Sequence, residues 1–379
     1  MIILSYLSPI VNRLLKMYQD YLYNLPPITK NLHHTSQNIN CVLYYFRQKN
    51  RENTMDRELA LNIVRVTEAA ALGCGKYMGR GNKEIADQAA VDGMRGMFEV
   101  LDIKGTVVIG EGEMDEAPML YIGEKIGTWE EGAPEIDIAV DPLDGTKLVA
   151  KGLPGALAVV AVAPKGCLLH APDMYMDKIA VGPKAFGCID ITSSIEINLY
   201  NVAKALCKDI TELTVMIQER ERHQDLIQRA RSIGARIKMF EDGDVAAAIA
   251  TCFSESGVDM FIGKGGAPEG VISAAALKCL GGEFQGILRP VTEEDKKRCI
   301  EMMGENYSRV LSMEDLAKGN DIIFAATGVS DGELLKGVRY MANNRARTSS
   351  VVTRSKSGTI RFVETTHILD KKPSYAYVK

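Results

Sequence analysis

The stretch that most constrains this chain is Asp141-Pro142-Leu143-Asp144-Gly145-Thr146, entered from the run Ile136-Asp137-Ile138-Ala139-Val140. The alternating β-branched run predicts a buried strand. Pro142, with no N–H and a fixed φ, is expected to end it and leave Asp141 at the strand's stop. Leu143 then turns back to the core, Asp144 faces the same cavity as Asp141, and Gly145 allows a tight turn that brings backbone close to a ligand. Two carboxylates and the Thr146 hydroxyl converge on one point. Like charges so close raise one pKa unless a cation neutralises them, so a hard, oxygen-seeking ion such as Mg²⁺ or Mn²⁺ is the simplest tenant. An ordinary Asp-Pro, Asp-Gly turn is the alternative reading of the same residues.

A second acidic strand end precedes this one. Gly105 to Ile109 reads as a strand, and Gly110-Glu111-Gly112-Glu113-Met114-Asp115-Glu116 follows it. So many acids on a glycine-jointed loop are costly to crowd unless a cation gathers some of them, though a solvated acidic turn is the alternative. Two consecutive strands with carboxylates at their ends suggest one binuclear metal cleft. Upstream, a helix runs from Asp56 through Leu59, Ile63, Val66 and Ala70, and Gly73, Gly75, Gly79 and Gly81 are expected to loosen the chain. A second helix runs from Lys83 through Phe98, with Lys83 and Asp87 one turn apart as an ordinary ion pair.

Ala156 to Ala163 and Gly166 to Ala171 read as a strand pair, with Tyr175 in a later loop either bonding a ligand or capping the core. Near Ser193 the texture changes to alternating helices and strands. This predicts an α+β unit over 55–193 and an α/β unit over 194–379, with the last strand pair packing back on the first unit. The strand Leu213 to Ile217 runs into Glu219-Arg220-Glu221-Arg222-His223-Gln224-Asp225, at the strand end where open sheets bind ligands. Arg222 and His223 suit an anion there; a solvated charge run is the alternative. Asp242-Gly243-Asp244 opens a helix, as capping or for sugar hydroxyls. Gly263-Lys264-Gly265-Gly266-Ala267-Pro268-Glu269-Gly270 joins a strand to a helix amino terminus and offers an anion site, but lacks the ending of a Walker loop. From there to Lys318 the chain is expected to be mostly helical.

The 379 residues suffice for two domains, and a net charge of −4 argues against a nucleic-acid partner held by bulk electrostatics. The eight cysteines include no Cys-x-x-Cys pair, which argues against a zinc cluster and for reduced thiols in a cytoplasmic protein. No apolar run approaches the roughly 20 residues of a membrane span. Residues 1–54 differ in texture: Arg13, Lys16, Lys30, Arg47, Lys49 and Arg51 face only Asp20 and Glu52 as acids. They read as a dispensable extension, disordered or not native, with Met55 opening the main fold; a transit peptide is the alternative.

From Met55 onward the chain resembles the class II bacterial fructose-1,6-bisphosphatases. The carriers are Gly81-Asn82-Lys83 with Ala86-Asp87, Gly110-Glu111-Gly112-Glu113, Asp141 to Thr146, Ala171 to Met176, Asp242-Gly243-Asp244 and Gly265 to Gly270. The Asp-Pro-x-Asp-Gly-Thr element alone would indicate only the wider lithium-sensitive, metal-dependent phosphatases. The resemblance implies a layered α/β/α/β/α sugar-phosphatase fold. It implies hydrolysis of the 1-phosphate of fructose 1,6-bisphosphate with two Mn²⁺ or Mg²⁺ ions, in a homo-oligomer, dimer or tetramer. Asp87 and Glu111 are implied on one ion, and Asp141, Asp144 and Glu269 around the other. Thr146, with Asp115 nearby, is implied to orient the attacking water, and Lys83 to add charge near the transferring group. Asp144, Gly145, Thr146, Tyr175, Arg222, His223, Gln224, Asp242, Gly243, Asp244 and Gly266 are implied at the sugar bisphosphate. Position 144 is Asp where some members carry Glu, and the shorter arm bears on metal preference.

Within enzymes, sedoheptulose-1,7-bisphosphate or an inositol phosphate is the competing substrate. Outside them, a catalytically silent sugar-phosphate sensor is the alternative, and the retained acids and water-orienting threonine argue against it.

Overall fold

The computed structural model describes Met55, residues 58–112 and residues 119–373. The expected extension over 1–54 and Asp115 therefore lie outside the described residues.

Two helices open the fold, α1 (Leu59–Gly75) and α2 (Lys83–Phe98). Gly73 and Gly75 lie inside α1 instead of loosening the chain after it. A Cβ on Gly73 would overlap the carbonyl oxygen of Ala89, and one on Gly93 that of Ala69. Glycine thus lets the two helix backbones close on each other, which fixes where α2 presents Asp87. Asn82 caps α2, accepting from Ile85 N at 3.0 Å.

The first sheet holds eight strands: β1 (Lys104–Ile109), β2 (Lys125–Ile126), β3 (Glu135–Asp144), β4 (Leu157–Pro164), β10 (Ile323–Gly328), β11 (Arg339–Met341), β12 (Arg345–Arg354) and β13 (Thr359–Ile368). Its order is β11-β12-β10-β4-β3-β1-β2, with β13 also on β12. The second sheet, ordered β7-β6-β8-β5-β9, comprises β5 (Tyr175–Val181), β6 (Thr214–Gln218), β7 (Arg236–Phe240), β8 (Met260–Gly266) and β9 (Glu283–Leu288). Helices α3 (Thr146–Lys151), α4 (Ile195–Leu206), α5 (Gln224–Ser232), α6 (Asp244–Ala250) and α7 (Ala267–Leu280) are interspersed.

Three apolar clusters show how the layers stack. One joins α1 and α2 to the first sheet through Ile63, Ala90, Ile138 and Val160. A second runs from Ala139, Val159 and Phe324 through Val245 and Ile272 of α6 and α7 to Met176 and Phe261 of the second sheet. The third packs Ile179, Val215 and Ile217 of that sheet against Leu199 of α4 and Ile227 of α5. The architecture is α/β/α/β/α. No helix among the described residues is long and apolar enough to cross a membrane.

Three local expectations need correction. The strand β3 does not stop at Asp141 but runs to Asp144, with a register shift against β4 between those residues. Its other neighbour, β1, has ended its pairing at Ala139, so the N–H that Pro142 lacks has no ladder to complete. Gly166 to Ala171 forms no strand, only an isolated bridge at Leu168. The amides of Cys167 and Leu168 donate instead to Asp137 Oδ2, at 2.8 and 3.1 Å. Finally, β9 interrupts the segment expected to be mostly helical.

Candidate active site

The register shift in β3 turns its last residues into one cleft. Asp141 bends onto its own backbone, its Oδ1 accepting from Leu143 N at 3.0 Å, while Leu143 is buried in the core. Gly145 follows with φ +103, a left-handed conformation that strains any other residue, and it releases the chain directly into α3 with Thr146 first. Asp144, almost fully buried, reaches across to the second half of the fold, where its Oδ2 accepts from Ala246 N at 3.3 Å in the first turn of α6. One short turn therefore ties the first sheet to α6.

Glu111 arrives from β1. Its amide donates to Leu120 O at 3.0 Å, and a Cβ on the preceding Gly110 would overlap that same carbonyl oxygen. Glycine is thus required for the approach that carries Glu111 inward. Glu269 stands in the first turn of α7, after Pro268. A Cβ on Gly266 would overlap Glu269 Oε2, so this glycine opens the cradle in which the carboxylate lies.

A cleft of about 340 Å³ results, lined by Asp87, Glu111, Asp141, Asp144, Gly145, Thr146, Asp173, Asp242 and Glu269 among others. Its electrostatics are those of crowded acids in a dry place. Burial, then the charges of Asp144, Glu111, Glu269 and Asp87, raise the Asp141 carboxyl well above its ordinary range. Burial, then Asp244, Glu269 and Asp242, do the same for Asp144 against the opposing Ala246 amide. Glu111 is pushed up to about 8, by burial first and then by Asp87 and Glu269. Burial is also the first cause of the upward shifts of Asp87 and Glu269.

As they stand, no three acidic, histidine or cysteine side chains among the described residues are drawn tightly enough together to clasp an ion. The mutual charge effects nonetheless put Asp87, Glu111, Asp144 and Glu269 within electrostatic reach of Asp141. Glu269 Oε2 is buried without a hydrogen-bond partner among the described residues. An unpartnered buried carboxylate oxygen, a cradle only glycine leaves open and five crowded oxygen donors, with Lys178 acting as a cation on Glu269 and Lys83 on Asp87, fit divalent metal ions.

The other sequence-derived residues fall around this cleft in different ways. Asp242 lines it, and Gly243, with φ +96, turns the chain so that Asp244 opens α6. Tyr175 begins β5, instead of lying in a loop, and its exposed ring carries the Arg222 guanidinium 5.2 Å above its centre. Arg222 also donates to Lys264 O through Nε and Nη2, at 3.1 and 2.8 Å, and to Gln218 Oε1. His223 is buried and holds backbone at both ring nitrogens: Nδ1 lies 2.8 Å from Gln218 O, and Nε2 accepts from Lys264 N at 2.8 Å. Burial lowers its pKa, and the observed bonds suit the neutral ring. In this arrangement His223 ties the end of β6 to β8. Gln224 starts α5, and Lys83 is exposed beside Glu84, 3.8 Å away.

Two residues escaped sequence reasoning. Asp173 lines the cleft; it stood within a quoted motif but carried no role. Lys178, in the middle of β5, has a fully buried side chain whose Nζ donates to Asp244 Oδ2 at 2.7 Å. Only its apolar neighbours Ile179 to Val181 could have hinted that this lysine lay inside.

The family model for bacterial fructose-1,6-bisphosphatase, glpX-encoded, matches residues 57–367. Fructose-1,6-bisphosphatase 1 class 2 of Escherichia coli (strain K12) is 48% identical over 331 residues, covering 84% of this chain and 97% of that protein. Fructose-1,6-bisphosphatase class 2 of Shigella flexneri matches with the same identity and coverage. The chain belongs to the bacterial fructose-1,6-bisphosphatase family of phosphoric monoester hydrolases.

Proposed function

We propose that this chain removes the 1-phosphate of fructose 1,6-bisphosphate, releasing fructose 6-phosphate and inorganic phosphate, with two Mn²⁺ or Mg²⁺ ions held by its cleft acids. The observation that carries the reading is the gathering of Asp87, Glu111, Asp141, Asp144 and Glu269, from four separate stretches of chain, around one cleft. Asp87 and Glu111 would hold one ion, and Asp141, Asp144 and Glu269 the other. Such ions, when bound, neutralise phosphate oxygens and make water a better nucleophile.

The remaining steps belong to the protein's own residues. Thr146, fixed as the first residue of α3 by Gly145, holds the attacking water at its hydroxyl and aims it at phosphorus, a task for which the family resemblance also implies Asp115. Lys83 adds positive charge near the transferring phosphoryl group. Asp242 and Asp244 accept hydrogen bonds from sugar hydroxyls at the mouth of α6. Arg222, stacked on Tyr175 at the ends of β5, β6 and β8, faces the second phosphate as a planar cation. His223 keeps that platform in place through its two backbone bonds. The seven described cysteines are all free, which supports a reducing, cytoplasmic setting. The family resemblance supports a homo-oligomer.

Phosphate release from fructose 1,6-bisphosphate in Mn²⁺ tests the reading. Turnover is expected in the unaltered enzyme and is expected to collapse in Asp141→Asn; undiminished turnover in that variant refutes the metal assignment.

A further inference from the structure

The second sheet carries a lysine where only apolar side chains belong. Lys178 shares a sheet face with Met176 and Ala180, both buried in the layer where α6 and α7 pack. Across the strands it stands opposite Gly263 on β8 and Gly286 on β9, so neither neighbouring strand puts a side chain beside it. Its side chain is completely buried, and its ammonium donates to Asp244 Oδ2 at 2.7 Å. The opening through which the two meet is narrow: a Cβ on Gly265 would overlap Asp244 Oδ2 and come within 3.0 Å of Lys178 Nζ.

Burying an ammonium is costly, and a buried ion pair is generally no more stabilising than an apolar pair of the same shape. Stability alone therefore gives no reason for this lysine. The pair does achieve something geometric. Asp244 is the first residue of a helix of only seven residues and follows the left-handed Gly243, so the backbone there is a tight turn with little to hold a side chain. One charge-assisted bond from a fixed strand selects the rotamer. The pair also borders the cleft electrostatically: the Asp244 charge acts on Asp144, and at Glu269 the Lys178 charge lowers the carboxyl while that of Asp244 raises it.

We propose that Lys178 is a positioning residue for substrate recognition: from inside the second sheet it clamps the Asp244 carboxylate in the orientation that receives a sugar hydroxyl, through a gap that Gly265 keeps open. This rests on the reading of Asp244 as a sugar-facing group. Lys178 itself does not touch substrate. Its loss is therefore felt in recognition of the sugar and not in the binding of a bare phosphate.

Two variants test this, Lys178→Met, which removes the ammonium, and Gly265→Ala, which leaves both charged residues and crowds them apart. In each, steady-state kinetics with fructose 1,6-bisphosphate are compared with inhibition by inorganic phosphate, which has no sugar hydroxyls. Thermal unfolding of each variant is followed alongside. The expected result for both is a KM raised about tenfold, the size of one lost charge-assisted bond, with kcat and the phosphate inhibition constant within about twofold of the unaltered enzyme. An unchanged KM in a folded variant overturns the proposal, as does phosphate affinity that weakens in step with KM. If Lys178→Met fails to fold, Gly265→Ala decides by the same two constants. Absence of turnover in the unaltered enzyme would sink the functional reading itself, a result distinct from any of these.

Discussion

Gly266 and Glu269 are matched as cradle and occupant: a Cβ at 266 would overlap Glu269 Oε2, the buried carboxylate oxygen that has no hydrogen-bond partner among the described residues. The junction at which β8 passes directly into α7 is thus shaped around one acid. Gly266→Ala should displace that carboxylate while leaving the helix intact. We expect a fall in kcat/KM of about a hundredfold or more, by analogy with small misplacements of catalytic groups. The apparent affinity for Mn²⁺, measured by calorimetry, should weaken with it; a variant with normal activity and metal affinity would show that Glu269 does not bind the ion.

Thr146 offers a different signature. Because its hydroxyl is assigned to aiming the attacking water as well as to the substrate, Thr146→Ala should lower kcat by about a hundredfold, far more than it raises KM, and Thr146→Ser should restore much of the loss. Steady-state kinetics of the pair check this. A rise in KM without a fall in kcat would move Thr146 from the reaction to substrate binding.

Far from the cleft, Glu68, Thr348 and His367 form a buried chain between α1, β12 and β13. Thr348 Oγ1 donates to Glu68 Oε1 at 3.1 Å and lies 2.8 Å from His367 Nε2. Glu68 and His367 stand 3.8 Å apart, yet burial favours the neutral form of each: it raises Glu68 and lowers His367 to about 4. The histidine's stabilising contribution is therefore full above its ordinary pKa of about 6.5 and is lost as pH falls toward about 4. Raised Glu68 acts in the opposite sense: its contribution is full below its ordinary pKa and is lost as pH rises through the folded one. Denaturant unfolding between pH 4 and 7 should show a weaker acid loss of stability in His367→Gln, and a steeper one in Glu68→Gln. Parallel pH profiles in all three proteins would mean that the chain does not titrate as a neutral pair.

The family match begins at residue 57, and the first described residue, Met55, is anchored by its carbonyl, which accepts from Arg354 Nη2 at 2.8 Å. A chain that starts at Met55 should keep turnover within about twofold of the full-length protein. Comparative kinetics of the two forms decide this; a large loss would give residues 1–54 a role in the enzyme.

How much was legible before the structure differed from place to place. The acids at the ends of β1 and β3 were readable because strand, glycine and carboxylate are neighbours in the chain, and proximity in sequence stands for proximity in space. Pro142 misled for a physical reason: its cost depends on whether a partner strand still runs beside it, and that is a property of the sheet. Gly73 looked like loosened backbone but, with Gly93, serves close helix packing, since what a missing side chain makes room for lies on another element. Lys178 was invisible for the same reason. Between Asp177 and Ile179 it resembles any strand lysine, and only the glycines opposite it and the distant Asp244 show that it points inward. His223 was read as an anion ligand from its neighbour Arg222, whereas its ring lies between two backbone groups.

The most direct test of the account is a titration of the apo-protein with Mn²⁺ by calorimetry, without substrate, on the unaltered chain and on Asp141→Asn and Glu269→Gln. The account predicts divalent-ion binding to the unaltered chain that weakens by at least about tenfold in each variant. Equal binding by all three proteins, or none by the unaltered chain even with substrate analogue present, would contradict it.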